Sequence, residues 1–335
     1  MRISVLFPFL RLTGGSKVLV DLANGLADRG HQVSGVVPVR LKPLPLGLGA
    51  VEWLWRAPWL RRKYRWFTPR FQLRVVPSLR PRWVPDADVA IASSWQTAEL
   101  AASYSSRHGV RAYFIQDVET DQDGSRAAAT YSLPLARIAT CPWIAGELSS
   151  RFGASVDAMV PLGLDLALYD GRPRKQIPAR RFGMLYSASE RKGFVDGLEA
   201  FTRARSTHPD MRLVVLGRVK RPPVLPDFVE GRWNVDPADV PAVYAGTDAW
   251  ICPSRSEGWG LPPMEAMGMG CAVVTTRVGG TPYFAEDGVT ALVCEPGDIV
   301  GLQRGSTPRS TGWKSSWSGW RGKGGERSQL PTKEV

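Results

Sequence analysis

In SEGWGLPPMEAMGMGCAVV, residues 256–274, two carboxylates, Glu257 and Glu265, stand eight positions apart around Gly258, Gly260 and the pair Pro262–Pro263. Gly258 and Gly260 let a backbone approach a ligand closely. The prolines suit the first turn of a helix, where no N–H bond is lost, so a helix is expected over 262–269, with Glu265 in its first turn. The open N–H groups of a helix N-terminus bind anions. Ionised carboxylates accept strong hydrogen bonds from hydroxyls. One loop therefore offers amide donors to a diphosphate and acids to hydroxyls. The ligand implied has phosphate and polyol parts together, as a nucleotide-sugar does.

The flanking residues say how such a loop would be held. DAWICPS precedes it as a strand and CAVVTT follows it as another. The same alternation starts at the N-terminus. ISVLF is a strand, Thr13, Gly14 and Gly15 turn the chain, residues 17–28 are helical with Val18, Leu19, Leu22 and Leu26 on one face, and residues 32–37 are the next strand. ADVAIASS, VRAYFIQD, IATCPW and DAMVPLG continue as strands, with helices over 97–107 and 144–152. Residues 163–181, with Gly171, Pro173 and Pro178, read as a linker. RRFGMLYS, MRLVVLG and VTALVCEP then join the two strands around the loop, with helices over 193–207 and 237–246. Two parallel α/β units are expected, each doubly wound, with ligands beyond the carboxyl ends of the strands in the cleft between the units.

At 335 residues the chain suits two domains. Its hydrophobic fraction of 44% and charged fraction of 22% are those of a globular protein. No apolar run reaches the roughly 18 residues that cross a bilayer. Residues 3–10 read as a first strand rather than a secretory leader, because Arg11 and a glycine turn follow with no small-residue cleavage site. The four cysteines, Cys141, Cys252, Cys271 and Cys294, form no CxxC pair and are expected to be reduced thiols of a cytoplasmic protein. The net charge of +12 is concentrated. Residues 40–82 carry eleven Lys/Arg against Glu52 alone, and residues 299–335 carry seven against Glu326 and Glu334. Residues 40–85, rich in Pro, Trp and Arg, read as an insertion. Residues 299–335 hold Trp313, Trp317 and Trp320 among glycines and serines, and are expected to be a disordered or truncated basic tail. The expected domains are therefore 1–163 and 164–298.

The E-x7-E spacing, with GWGLPP inside it and CAVVTTRVGGTPYFAEDGVTALV behind, resembles the retaining GT-B glycosyltransferases of family 4. TGGSKVLVDLANGLADRGHQV, SSWQTAEL, YFIQDVE, LGLDL and SERKG extend the resemblance over most of residues 1–298. YFIQDVE and the MLYS…RKG form look most like members that build surface polysaccharides, rhamnosyltransferases among them. The resemblance implies two Rossmann-like domains, an acceptor taken by the first and a nucleotide-sugar by the second. It implies that Glu265 holds the ribose hydroxyls, that Glu257 holds sugar hydroxyls near the reacting carbon, and that Lys192 binds the diphosphate. Gly14 and Gly15 would approach the same phosphate, and Gly258, Gly260, Leu261, Gly279, Gly280 and Thr281 would line the donor site. No protein nucleophile and no cofactor is implied. Two positions depart from the family pattern. Ser187 stands where the family places a phosphate-binding arginine, with Arg191 as the candidate to compensate. Gln116, followed by Asp117, stands on the acceptor side where relatives often place a histidine, and a glutamine cannot take a proton.

Other readings compete. Asp86-Ala87-Asp88 and Asp121-Gln122-Asp123 have the DxD form that holds a divalent ion on a diphosphate in the other glycosyltransferase fold. A strand start and a turn explain them better, and no metal is expected. His31, His108 and His208 lack ligand spacing. Gly14-Gly15 lacks the GxGxxG form, which disfavours an NAD-type oxidoreductase. A catalytically weakened nucleotide-sugar binder stays open as the alternative, favoured by Ser187 and the odd tail. Residues 50–67 interleave aromatics with arginines, as a segment lying on an anionic membrane or gripping a lipid-linked acceptor would. No motif supports nucleic-acid binding.

Overall fold

A computed structural model describes residues 1–41, 66–119, 124–171 and 179–307. The chain divides into two compact units, Met1–Leu162 and Gly163–Val335.

The first unit is built on a seven-stranded sheet in the order β3-β2-β1-β4-β5-β6-β7. Its strands are β1 (Arg2–Leu6), β2 (Gln32–Pro38), β3 (Gln72–Val76), β4 (Val89–Ala92), β5 (Val110–Ile115), β6 (Ala136–Ala139) and β7 (Ala158–Met159). Every ladder is parallel. The central strands are near-continuous apolar runs because both faces are covered. Val5, Leu6, Phe7, Val36, Val37, Ala90 and Ala92 are almost wholly buried. Helices α1 (Gly14–Asp28), α2 (Trp95–Ala102), α3 (Gly124–Thr130) and α4 (Pro142–Phe152) provide crossovers. Thr13 caps α1 by accepting from Ser16 N, and Ser94 with Thr97 forms a capping box on α2.

The second unit has a six-stranded sheet in the order β10-β9-β8-β11-β12-β13. Its strands are β8 (Arg181–Tyr186), β9 (Arg212–Gly217), β10 (Val229–Trp233), β11 (Ala249–Cys252), β12 (Ala272–Thr276) and β13 (Leu292–Cys294), again all parallel. Helices α5 (Phe194–Arg205), α6 (Val240–Ala245), α7 (Leu261–Gly268) and α8 (Ile299–Gly305) accompany it. Phe182, Met184, Phe201, Leu213, Val215 and Ile251 form its core with Leu302.

Several expectations are corrected. The insertion expected over 40–85 contains β3, an edge strand whose Val75 and Val76 are buried while Gln72 and Arg74 face solvent. Residues 42–65 of it lie outside the described residues, as do Asp121, Asp123 and the tail from 308. The tail does not begin at 299. Asp298 caps α8 through Gly301 N at 2.8 Å, Leu302 is fully buried, and α8 packs on α5. The first seven residues of the supposed tail thus belong to the second core. The helix expected over 97–107 ends at Ala102, and a 3-10 turn, Ser106–His108, follows. The IATCPW strand stops at Ala139, because Pro142 opens α4. All four cysteines are thiols, and Cys141, Cys252 and Cys271 are buried.

Candidate functional site

In the second sheet the strand order reverses beside β8, which has β9 on one side and β11 on the other. Ligands of open α/β sheets bind outside the carboxyl ends of the strands at such a switch point. The segment after β8 carries Arg191 and Lys192, and the loop after β11 carries Glu257. The structure brings them together. Lys192 Nζ donates to Glu257 Oε2 at 2.7 Å. Ser254 Oγ donates to Glu257 Oε1 at 2.8 Å. The Glu257 side chain is 11% exposed and that of Lys192 34%, so the cation is the more open of the two.

Backbone contacts set this spacing. Arg191 O accepts from Arg255 N at 2.7 Å and from Ser256 N at 3.2 Å, and the Arg191 guanidinium reaches Ser256 Oγ at 3.1 Å. Arg255 adds a two-pronged contact with Asp196, near the start of α5, at 2.8 and 2.9 Å. Asp196 and Arg255 went unnoticed in the sequence, where nothing marks residues 59 positions apart as partners. Two glycines allow the loops to close up. Gly193 has φ +61°, and a Cβ there would stand 1.9 Å from Pro253 O. Gly279 has φ +50°, and its Cβ would stand 1.8 Å from Glu257 O. Gly280 N donates to Gly258 O at 3.0 Å. Thr281 is buried and turns its hydroxyl onto Thr276 O and Val278 O, so its side chain holds the turn together.

Glu265 departs from its expected setting. Gly260, with φ +93°, caps α7, and the helix starts at Leu261. Glu265 is therefore its fifth residue, beyond the first turn. Its carboxylate is buried, accepting from Tyr169 Oη at 3.0 Å and from Tyr244 Oη at 2.9 Å. Ser187, at the departure from the family pattern, accepts from Ser189 N at 3.2 Å and serves its own turn.

A largely buried acid paired with a half-buried lysine at a switch point sets a hydrogen-bond acceptor and a cation side by side. Residues 181–305 match the family described as Glycosyl transferases group 1. Among curated proteins this chain is 29% identical over 181 residues to the D-inositol 3-phosphate glycosyltransferase of an Arthrobacter strain, covering 47% of the chain and 43% of that relative. It is 30% identical over 120 residues to the glycogen synthase of Mycobacterium tuberculosis, covering 33% and 29%. The chain spans less than half the length of these curated relatives. Among solved structures it resembles the Anabaena protein HepE in complex with UDP-glucose, with a TM-score of 0.69, 18% identity, and coverage of 91% and 88%. Sucrose-phosphate synthase from Thermosynechococcus elongatus gives a TM-score of 0.65 at 16% identity, with the same coverage. The fold is that of the GT-B glycosyltransferases.

Within that fold the first unit gathers a second group. Gly14 and Gly15 open α1, and a Cβ on Gly15 would lie 3.6 Å from Gln116 Oε1, so Gln116 faces the helix start. Asp117 Oδ1 accepts from Val118 N at 2.9 Å. Glu119, which the sequence did not single out, accepts from Trp95 N at the start of α2 at 2.7 Å and from Tyr113 Oη at 3.3 Å. Burial raises Glu119 to about 7, against the lowering pull of those two donors, and the Asp117 charge adds to the rise. Asp88 binds the Arg2 guanidinium at 2.8 Å and the Arg2 amide, and Asp86 pairs with Arg107, so this DxD string serves the edge of β1 and β4. His108 is buried against Pro81 O, and His208 contacts Thr207 Oγ1 at 2.9 Å. Among the described residues no helix is long and apolar enough to cross a membrane.

Proposed function

We propose that the chain is a retaining, metal-independent glycosyltransferase that moves a hexosyl or deoxyhexosyl group from a nucleotide-diphosphate sugar to a glycan or lipid-linked acceptor in cell-surface polysaccharide synthesis. The Lys192–Glu257 pair at the β8/β11 switch point carries this reading. Lys192 would exchange its carboxylate partner for the donor diphosphate, leaving Glu257 to accept hydrogen bonds from sugar hydroxyls. Leu261 and the backbone at Gly258, Gly260, Gly279 and Gly280 would line the donor, and Arg191 would supply a second cation. Glu265 would take the ribose.

The chemistry needs no covalent step on the protein. The bond from the anomeric carbon to the phosphate oxygen breaks with its electron pair on phosphate. The acceptor oxygen bonds to that carbon on the same face, and its proton passes to the departing phosphate. Lys192 stabilises the charge that grows on phosphate. Gln116 and Asp117 would belong to the acceptor side, where Gln116 can orient but cannot take a proton, while Gly14 and Gly15 would approach the donor phosphate. Residues 50–67 would bring the chain to an anionic membrane face from the cytoplasm.

A thermal-shift panel of nucleotides and nucleotide-sugars tests the donor reading and names the base. Absence of a shift with every nucleotide-sugar would reject it. Ser187 favours a second reading, a binder with little turnover, because its hydroxyl supports a turn and supplies no cation. Slow hydrolysis of the stabilising nucleotide-sugar separates enzyme from binder.

A further inference from the structure

Glu265 is 7% exposed, and each of its oxygens accepts a different phenol, Tyr169 at 3.0 Å and Tyr244 at 2.9 Å. Tyr169 is 2% exposed and Tyr244 1%, and their rings meet edge-on with centroids 6.4 Å apart. The partners come from separate pieces of the second unit. Tyr244 lies on α6 and Glu265 on α7. Tyr169 lies on the segment 163–171, which is strapped to the end of α7. Gly171 N donates to Gly268 O at 2.9 Å, and a Cβ on Gly268 would stand 2.4 Å from Leu164 and 3.0 Å from Tyr169.

A buried carboxylate needs hydrogen-bond donors to remain charged. One donor would serve that need in part. Two donors on opposite oxygens also fix the plane of the carboxylate, which otherwise turns freely about its last bond. The Tyr244 donor is durable. Burial, and then the charge of Glu265, hold the Tyr244 phenol well above its ordinary pKa, so it keeps its proton.

We propose that Tyr169 and Tyr244 are positioning residues that aim the Glu265 carboxylate at the ribose hydroxyls of the nucleotide, and so make the second unit select ribonucleotides over deoxyribonucleotides. This rests on the nucleotide-sugar reading above. A site built to bond a hydroxyl rejects the analogue that lacks it far more strongly than an apolar pocket does. The selection depends on where the carboxylate points, which the two phenols determine. Tyr169 thereby gives the strap before β8 a part in substrate choice.

The test measures calorimetric affinities of the chain for UDP, GDP and ADP, each against its 2′-deoxy form. The wild type is expected to prefer at least one ribonucleotide by about tenfold or more. Tyr169→Phe and Tyr244→Phe should each lower that ratio to about threefold or less by weakening the ribonucleotide alone. Glu265→Gln should do the same. A purely structural role would lower the thermal midpoint, or weaken both forms equally, and leave the ratio untouched. An unchanged ratio in Tyr169→Phe, with the wild type discriminating, overturns the proposal while the donor reading stands. If the fully buried Tyr244→Phe variant does not fold, Tyr169→Phe on the strap decides alone. If the wild type binds none of the six nucleotides, or binds them without discrimination, the ribose role of Glu265 falls and the proposal with it.

Discussion

Lys192 and Glu257 hold each other at 2.7 Å, with the acid largely buried. Removing one partner of such a pair leaves the other charge without its counterion. Lys192→Ala is therefore expected to reduce turnover by about a hundredfold or more, and also to lower the thermal midpoint. Glu257→Gln should lower turnover while nucleotide affinity is largely kept, because the contacts proposed for it are to the sugar. Steady-state kinetics beside nucleotide calorimetry checks both, and small equal effects would reject the role assignment. Glu119 supplies a pH signature. Its carboxyl sits near 7 in the folded chain against an ordinary 4.5. Between those values the folded state keeps a proton that the unfolded chain has lost, so stability falls as pH rises through that window and levels above it. Glu119→Gln should remove this slope. The variant's stability relative to wild type should rise by up to the order of 3 kcal/mol across the window. Urea denaturation at acid and neutral pH reads the difference. At this scale the sequence showed the residue types but not their company. Glu257 was legible from its spacing and surroundings, and Lys192 only through the family resemblance. The phenols on Glu265 were not, because Tyr169 is 96 positions away and no local pattern records such a contact.

The loop after β11 and the turn after β8 are tied by backbone bonds at Arg191 O and by the Asp196–Arg255 pair. Residues 254–256 bring no large apolar side chain to the core, so these polar ties hold the loop. Asp196→Asn should loosen it and lower turnover roughly tenfold, with nucleotide affinity little changed. Combined with Arg255→Gln it should cost no more than either change alone, since contacting residues couple. Kinetics of the two single variants and the double variant test this, and multiplying losses would show that the pair does not act as a unit. Element type was readable wherever a strand was buried on both faces, as in ISVLF and DAWICPS. It was hidden at the sheet edges. β3 (QLRVV) and β10 (VEGRW) put charges on their open sides, which breaks the apolar run that marks an inner strand. α7 began one residue early because Gly260, with its positive φ, serves as the cap ahead of the prolines.

Two parallel sheets, each with its reversal beside the first strand of its unit, make up the molecule. That repetition was visible as the strand–helix alternation restarting near residue 181. The end of the second unit was not, because the glycine, serine and tryptophan content beyond 305 coloured the reading of a helix that precedes it. α8 belongs to the core through Leu302, which is fully buried. Leu302→Ala is expected to destabilise the second unit by about 2–5 kcal/mol, measured by denaturant unfolding. A loss near zero would return α8 to the tail.

Cys252 ends β11, directly before the Pro253–Glu257 turn, with Cys141 and Cys271 equally enclosed and Cys294 half-open. Enclosed thiols meet an alkylating reagent only when their surroundings open. Modification of Cys294 should therefore run ahead of the other three. The rate at Cys252 becomes a covalent clock for fluctuations beneath the Pro253–Glu257 turn, and a nucleotide-sugar bound as proposed should slow that clock.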